Sequence, residues 1–121
     1  MKFKNNKEIN KDKWSVFVTE NKSSSPFQTP EFYDFFNTVK GFSADVFSVE
    51  DKDEIQALVV VTIQKEKGLK SFFSKRAIIY GGILFETEEA LTFLLKKIID
   101  YYKGKLIYIE IRNYKDYSSF L

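Results

Sequence analysis

The stretch "AIIYGGILFETEEALTFLLKKIIDYYKGKLIYIEIR", residues 77–112, decides the fold. It reads as a strand over 77–85 that is interrupted by two glycines, an amphipathic helix over about 87–103, and a strand over 106–112. Two strands joined by a crossover helix pair in parallel, directly or as near neighbours, with a right-handed connection. This unit therefore predicts a sheet with at least one parallel pair and a helix packed on its face.

The residues before this unit predict two further helices and an antiparallel hairpin. Helical spacing of apolar residues indicates a helix over about 8–20, and Thr29 followed by Pro30 begins a second one that ends near Gly41. Two apolar segments, 44–51 and 54–66, flank a tight polar turn, as in a β-hairpin. The predicted fold class is α/β (α+β), a mixed sheet with the order α-α-β-β-β-α-β.

Composition limits the chemistry that the chain can perform. The length of 121 residues suits one domain, and a net charge of +2 is too small to indicate a nucleic-acid-binding protein. The lack of Cys and His removes thiolate chemistry, most zinc sites and the usual general base near neutral pH. No apolar signal segment is present, and no apolar run is long enough to span a membrane. We expect a cytoplasmic protein that needs neither a metal nor a cofactor.

Gly81 and Gly82 lie between a strand and a helix, where backbone N–H groups can cradle a phosphate. The helix that follows begins among Glu86, Glu88 and Glu89, whose carboxylates would repel a pyrophosphate. A kink or bulge in the strand is the competing interpretation, and it is the one that the acidic residues favour.

Two other segments carry candidate binding residues. The basic connection 65–76 interleaves lysines with Phe72 and Phe73, a pattern of single-stranded nucleic-acid binding but more often of a solvated hairpin tip. Glu110 and Arg112 are two residues apart on a strand, so their side chains share one face. They predict either a structural ion pair or a ligand contact at the carboxyl end of the strand.

Three stretches, taken together and in order, resemble a known family. They are "SPFQTPEFYDFF", "YGGILF" and "IYIEIRNYKDYSSF". They are similar to the N-terminal half of the Fem-type (FemAB-like) aminoacyltransferases, which build peptidoglycan cross-bridges and belong to the GNAT-like acyltransferase superfamily. The family pattern is Phe-Gln-Thr-Pro with a following aromatic, then Gly-Gly-Pro, then Glu-Ile-Arg-Asn. In this chain Ile83 stands where the family pattern has proline.

The resemblance implies a single N-terminal GNAT-like domain over 1–121, incomplete relative to a full GNAT domain and part of a longer two-domain protein. Fem-type proteins transfer an amino acid from aminoacyl-tRNA to a peptidoglycan-precursor peptide, which lies largely against the first domain. We therefore expect the substrate-side half of an acyl- or aminoacyltransferase, acting on a peptidoglycan precursor or a related cell-envelope acceptor and inactive alone. Its expected partner is the missing C-terminal domain, or a second copy paired through an open sheet edge.

The resemblance also suggests which residues touch the substrate. Several family members have a lysine that helps to hold the precursor's phosphates where this chain has Phe36, and the nearest lysine is Lys40. The candidate substrate-binding residues are Gln28, Lys40, Gly81, Gly82, Glu110, Arg112 and Asn113. No catalytic residue is predicted.

Two alternatives remain open at this stage. One is a non-enzymatic interaction module that keeps half of a GNAT-like fold and pairs through its sheet edge. The other is a free-standing acetyl-coenzyme-A transferase, which needs an Arg/Gln-x-x-Gly-x-Gly/Ala loop before its central helix. The segment "IYGGILFETEEA" does not supply that loop.

Overall fold

The computed structural model describes residues 1–65, 75–105 and 107–112, and these form a mixed sheet with helices on both faces. The elements in chain order are β1 Lys2–Asn5, α1 Lys11–Glu20, α2 Pro30–Phe36, β2 Phe42–Asp51, β3 Glu54–Lys65, β4 Lys75–Tyr80, β5 Leu84–Phe85, α3 Glu88–Tyr102 and β6 Ile107–Arg112. Short 3-10 turns at Asn6–Glu8 and Pro26–Gln28 precede α1 and α2.

The sheet order is β1-β2-β3-β4-β6, with the short β5 beside β3. Strands β4 and β6 pair in parallel from Lys75 opposite Ile107 to Tyr80 opposite Arg112, and α3 connects them. Every other pair described is antiparallel. The predicted strand–helix–strand unit and the predicted hairpin are therefore confirmed.

The structure adds two short strands to the predicted order. β1 pairs with β2 at the edge of the sheet, and it was not predicted because four residues with two lysines carry little strand signal. The single strand predicted over 77–85 is divided into β4 and β5 by the glycine pair. The two segments pair with different parts of β3, so the chain leaves the sheet and returns between them.

The face of the sheet toward α3 holds the larger apolar core. α3 buries one side of the helix against this face, as its apolar spacing predicts, through Leu91, Leu94, Leu95, Ile98 and Tyr102. Thr87 begins the helix because its side-chain oxygen accepts a hydrogen bond from the Ala90 N–H at 3.1 Å. In the described ranges, no helix combines the length and the apolar character needed to cross a membrane.

Helices α1 and α2 cover the opposite face, chiefly over β2 and β3, and Phe32 of α2 also reaches Tyr80 of β4. Trp14, Phe17 and Val18 of α1 are buried there among residues of those two strands. Phe35 of α2 is exposed. On this face Tyr108, Glu110 and Arg112 of β6 are exposed, and this area carries the candidate site.

The edge strand β1 is held to the sheet by an ion pair as well as by its ladder. The Lys4 ammonium lies 3.0 Å from a carboxylate oxygen of Glu50, which is almost fully buried. A buried carboxylate is tolerated when a cation compensates it.

Candidate functional site

Three segments that are far apart in the sequence meet at the carboxyl end of β4. The Gln28 side-chain amide donates hydrogen bonds to the carbonyl oxygens of Gly81, at 2.7 Å, and Gly82, at 3.3 Å. The Gly81 N–H in turn donates to the carbonyl oxygen of Arg112 at 3.1 Å, which extends the β4–β6 ladder by one step. The glycine pair is therefore held from one side by the turn before α2 and from the other by the end of β6.

Local sequence explains how Gln28 comes to this position. Ser25 caps the 3-10 turn with its hydroxyl, Pro26 occupies the first position of the turn, and Gln28 closes a capping box back to Ser25. The Gln28 side-chain oxygen accepts from the N–H of Ser25 at 2.6 Å and from its hydroxyl at 2.8 Å. Thr29 then caps α2 through the Phe32 N–H at 3.2 Å.

Gln28 has no exposed surface, and each polar group of its side-chain amide is bonded within the protein. Its backbone oxygen is also occupied, because it accepts from the Trp14 indole N–H at 2.6 Å. In this arrangement any influence of Gln28 on a ligand passes through the position of Gly81 and Gly82. Gln28 was predicted to bind the substrate, and we now propose that it supports binding indirectly, by holding the glycine pair in place.

Gly81 cannot be replaced without disturbance. Its φ of +73° is left-handed, and a Cβ built there would lie 2.5 Å from the Ser25 hydroxyl oxygen and 2.8 Å from the Gln28 amide nitrogen. Gly82 also has a positive φ, of +84°. The predicted kink at this pair is confirmed. It lets the chain turn away from the sheet after β4, next to the turn that contains Gln28.

Aromatic rings form a wall beside the glycine pair. The Tyr80 ring lies 5.6 Å from the Phe27 ring and 6.5 Å from the Phe32 ring, between centroids. Phe27 and Phe32 contact each other edge to face at 5.1 Å. Phe36 continues this wall, with its ring centroid 4.5 Å from that of Phe32.

Glu110 and Arg112 form the ion pair that their spacing predicts. The Arg112 Nε atom lies 3.2 Å from a Glu110 carboxylate oxygen, and its guanidinium carbon lies 5.7 Å from the Tyr80 ring centroid. Each side chain is 46% exposed. The hydrogen bond from Arg112 lowers the pKa of Glu110, and Arg76 lowers it further through its charge.

We define the shelf as the face of β4 and β6 that lies opposite α3, with Arg76, Tyr80, Tyr108, Glu110 and Arg112 as its floor and Phe27 and Phe32 as its wall. Tyr108 is 74% exposed, and Arg76 is also exposed. The floor combines two arginines, one carboxylate and two phenols. Such a surface suits a ligand that has both an anionic group and an apolar or planar part.

The other predicted site residues lie apart from the shelf or outside the described ranges. Lys40 is exposed in the turn after α2, at the opposite end of that helix from Gln28. Within the described ranges Lys40 makes no hydrogen bond or ion pair. Asn113 lies outside the described residues, as does the basic connection except for its terminal residues Lys65, Lys75 and Arg76.

Several residues of the shelf were not predicted to belong to a site. Tyr80 was predicted only as part of the strand over 77–85, and Phe27 only as part of the family-like stretch "SPFQTPEFYDFF". The Ser-x-x-Gln spacing of Ser25 and Gln28 is a capping-box pattern, and it could have predicted the buried position of Gln28. Tyr108 could not be placed, since exposure of that face depends on where α1 and α2 end.

The start of α3 offers no described site for a pyrophosphate. Thr87 already caps the helix, while Glu86, Glu88 and Glu89 are all exposed around its first turn. We therefore expect calorimetric titration with acetyl-coenzyme A to show no saturable heat, because the pyrophosphate of the coenzyme would meet carboxylates. Saturable binding in the micromolar range would contradict this expectation.

Comparison with protein-family models and with curated protein sequences finds no match. Among solved structures the chain is similar to FemX, with a TM-score of 0.73 and 19% identity over 90% of this chain and 27% of FemX. It is also similar to the aminoglycoside antibiotic 6'-N-acetyltransferase from Acinetobacter haemolyticus, with a TM-score of 0.64 and 14% identity over 98% of this chain and 83% of that one. A third similar structure is the ribosomal-protein-alanine N-acetyltransferase from Brucella melitensis, with a TM-score of 0.63 and 6% identity over 99% of this chain and 86% of that one.

These structural similarities establish the fold. The sequence identities are too low to establish an activity. The chain has a GNAT-like fold, the fold of N-acyltransferases, and the predicted fold class is confirmed. It spans only 27% of the length of FemX.

Proposed function

We propose that this chain is the acceptor-binding part of a Fem-type N-acyltransferase, and that it holds a peptidoglycan precursor or a related cell-envelope acceptor on the shelf. The observation that carries the proposal is the meeting of the three family-like stretches at one place. Gln28 bonds Gly81, and Gly81 bonds Arg112, within one connected cluster. The similarity of the fold to FemX supports the same assignment.

The shelf has the chemistry to hold an acceptor of this class. The Arg112 guanidinium is oriented by Glu110 and by the Tyr80 ring, and about half of its surface is free to meet a carboxylate or a phosphate. The aromatic wall of Phe27 and Phe32 offers a flat apolar surface beside it. Orientation by rigid neighbours reduces the side-chain entropy that is lost when a ligand binds.

The shelf residues are suited to binding an acceptor but do not supply an effective general base. Glu110 is the carboxylate on the shelf floor, and its lowered pKa makes it a weak general base near neutral pH. An amine acceptor must lose a proton during acyl transfer, so an effective base has to come from elsewhere. We propose that the rest of the catalytic machinery lies in a second half, such as the C-terminal GNAT-like domain of Fem-type proteins, and that this chain is inactive alone.

Calorimetric titration of the chain with the soluble muramyl-pentapeptide precursor of peptidoglycan tests the proposal. We expect saturable binding that Arg112→Gln weakens at least tenfold, because the guanidinium provides the main charge for an anionic group. Lys97→Gln is the matched control, since Lys97 lies on α3, over the Phe93 ring. Arg112→Gln should leave the denaturant midpoint almost unchanged, because its ion pair is exposed.

Two results would contradict the proposed function. One is the absence of saturable heat with the wild-type chain. The other is an equal loss of affinity in Arg112→Gln and Lys97→Gln, which would show a nonspecific charge effect.

The second candidate function is a non-enzymatic interaction module that retains half of a GNAT-like fold. The observation that favours it is the exposed strand β6, where Tyr108 and Ile109 both remain in contact with solvent. A module of this kind would pair through its sheet edge and would show no affinity for an acceptor. The titration above therefore distinguishes the two functions.

A further inference from the structure

The two edges of the sheet differ in how well they resist pairing. β1 has four residues and carries Lys2 and Lys4, which is a short, charged edge. β6 has six residues and no lysine, and in the described part of the chain no strand lies beyond it. Its Tyr108 is 74% exposed on one face, and its Ile109 is 40% exposed on the other.

The direction of the backbone groups of β6 follows from one hydrogen bond. The Arg112 carbonyl oxygen accepts from the Gly81 N–H, so the peptide groups of Arg112 point toward β4. Because these directions alternate along a strand, the backbone N–H and C=O groups of Glu110 and Tyr108 also point toward β4. The N–H and C=O groups of Ile107, Ile109 and Ile111 therefore point outward from the sheet.

We propose that a second copy of this chain occupies this edge, with the two β6 strands antiparallel about a two-fold axis at Ile109. Ile109 then faces Ile109 of the partner subunit, and Ile107 faces the partner's Ile111. These are the residues whose backbone groups point outward, so each facing pair exchanges two hydrogen bonds. A two-fold, self-complementary contact is the commonest form of homodimer.

Charge distinguishes this register from its nearest alternative. An axis at Glu110 would place two glutamates directly opposite each other in a close pair that is not hydrogen-bonded, and this is unfavourable. The axis at Ile109 places Glu110 opposite Tyr108 of the partner subunit instead. The two glutamates are then diagonal neighbours, and each is neutralised by its own Arg112 at 3.2 Å.

The dimer also changes the candidate site. The axis lies perpendicular to the sheet, so the shelves of both copies are on the same side. Tyr108 of the partner subunit then adjoins Glu110, and the two floors form one continuous surface across the axis. This inference concerns the edge of β6 and holds whatever ligand the shelf binds.

Single cysteine variants test both the contact and its register, because the chain contains no cysteine of its own. Residues in a hydrogen-bonded antiparallel pair have Cα atoms about 5.5 Å apart, within the range that a disulfide spans. Under mild oxidation, Ile109→Cys should form a linked dimer at least tenfold faster than Val16→Cys, a control on α1 at a residue that is 54% exposed. Tyr108→Cys should react more slowly than Ile109→Cys, although Tyr108 is the more exposed residue.

Sedimentation equilibrium of the variant Ile109→Pro provides a second measurement. Proline removes an N–H that points outward, so it leaves the β4–β6 ladder intact while raising the dimer dissociation constant at least tenfold. Ile109→Thr is the control, since it keeps both the N–H and a β-branched side chain. If Ile109→Pro fails to fold, the cysteine series alone decides.

Three results would overturn the inference. The first is a wild-type chain that stays monomeric at its highest soluble concentration. The second is a linking rate that follows exposure, with Tyr108→Cys at least as fast as Ile109→Cys. The third is linking of Ile109→Cys no faster than that of Val16→Cys.

Discussion

Replacing Gly81 with alanine should lower the free energy of unfolding by about 4 kcal/mol, which combines left-handed strain of about 1–2 kcal/mol with lost hydrogen bonds to Gln28. The added Cβ would lie 2.5 Å from the Ser25 hydroxyl oxygen and 2.8 Å from the Gln28 amide nitrogen. Neither atom can withdraw easily, because the Ser25 hydroxyl donates to the Gln28 side-chain oxygen at 2.8 Å and the Gln28 amide nitrogen donates to the Gly81 carbonyl oxygen at 2.7 Å. Chemical denaturation of both proteins measures the difference.

Gly41→Ala is the matched control for this prediction. Gly41 has a φ of +85°, but a Cβ built there meets nothing within 4 Å. The control should therefore lose only the conformational part, about 1–2 kcal/mol. Equal losses at the two positions would show that the Gln28 turn does not press on the glycine pair.

Replacing Gln28 with alanine should cost about 3 kcal/mol of folding free energy, because buried carbonyl groups lose their donor and a cavity is left behind. The Gln28 side-chain amide donates to the carbonyl oxygens of Gly81 and Gly82, and its oxygen accepts from the N–H of Ser25. The variant should also lose affinity for the muramyl-pentapeptide precursor, since the glycine pair is no longer held. Denaturation and calorimetry measure the two effects separately.

Gln56→Ala controls for the loss of an amide side chain at a less buried position. Gln56 is half-buried on β3, where its backbone oxygen accepts from the Glu86 N–H at 2.8 Å. That bond survives the substitution, so the control should lose less than about 1 kcal/mol. If Gln28→Ala loses no more folding free energy than Gln56→Ala, Gln28 does not hold the glycine pair in place.

The parts of the fold that sequence could predict depend on local patterns. The helix face of Leu91, Leu94 and Leu95 follows from spacing alone, and the parallel pair of β4 and β6 follows from the strand–helix–strand order. The pair of Glu110 and Arg112 was likewise predictable, since two residues that are two apart share a strand face.

The parts that could not be predicted depend on tertiary neighbours. β1 gains its place from the ladder with β2 and from the pairing of Lys4 with the buried Glu50, and neither is visible in four residues of sequence. The burial of Gln28 depends on Gly81, which is 53 residues away in the chain.

We propose that the shelf, organised by the Gln28–Gly81–Arg112 cluster, binds the acceptor. Mapping of backbone amide shifts by NMR, during titration with the muramyl-pentapeptide precursor, tests it most directly. We predict saturable shifts concentrated at Phe27, Tyr80, Gly81, Gly82 and Arg112. Shifts centred instead between α1 and the β2–β3 turn, or no saturable shifts at all, would contradict the account.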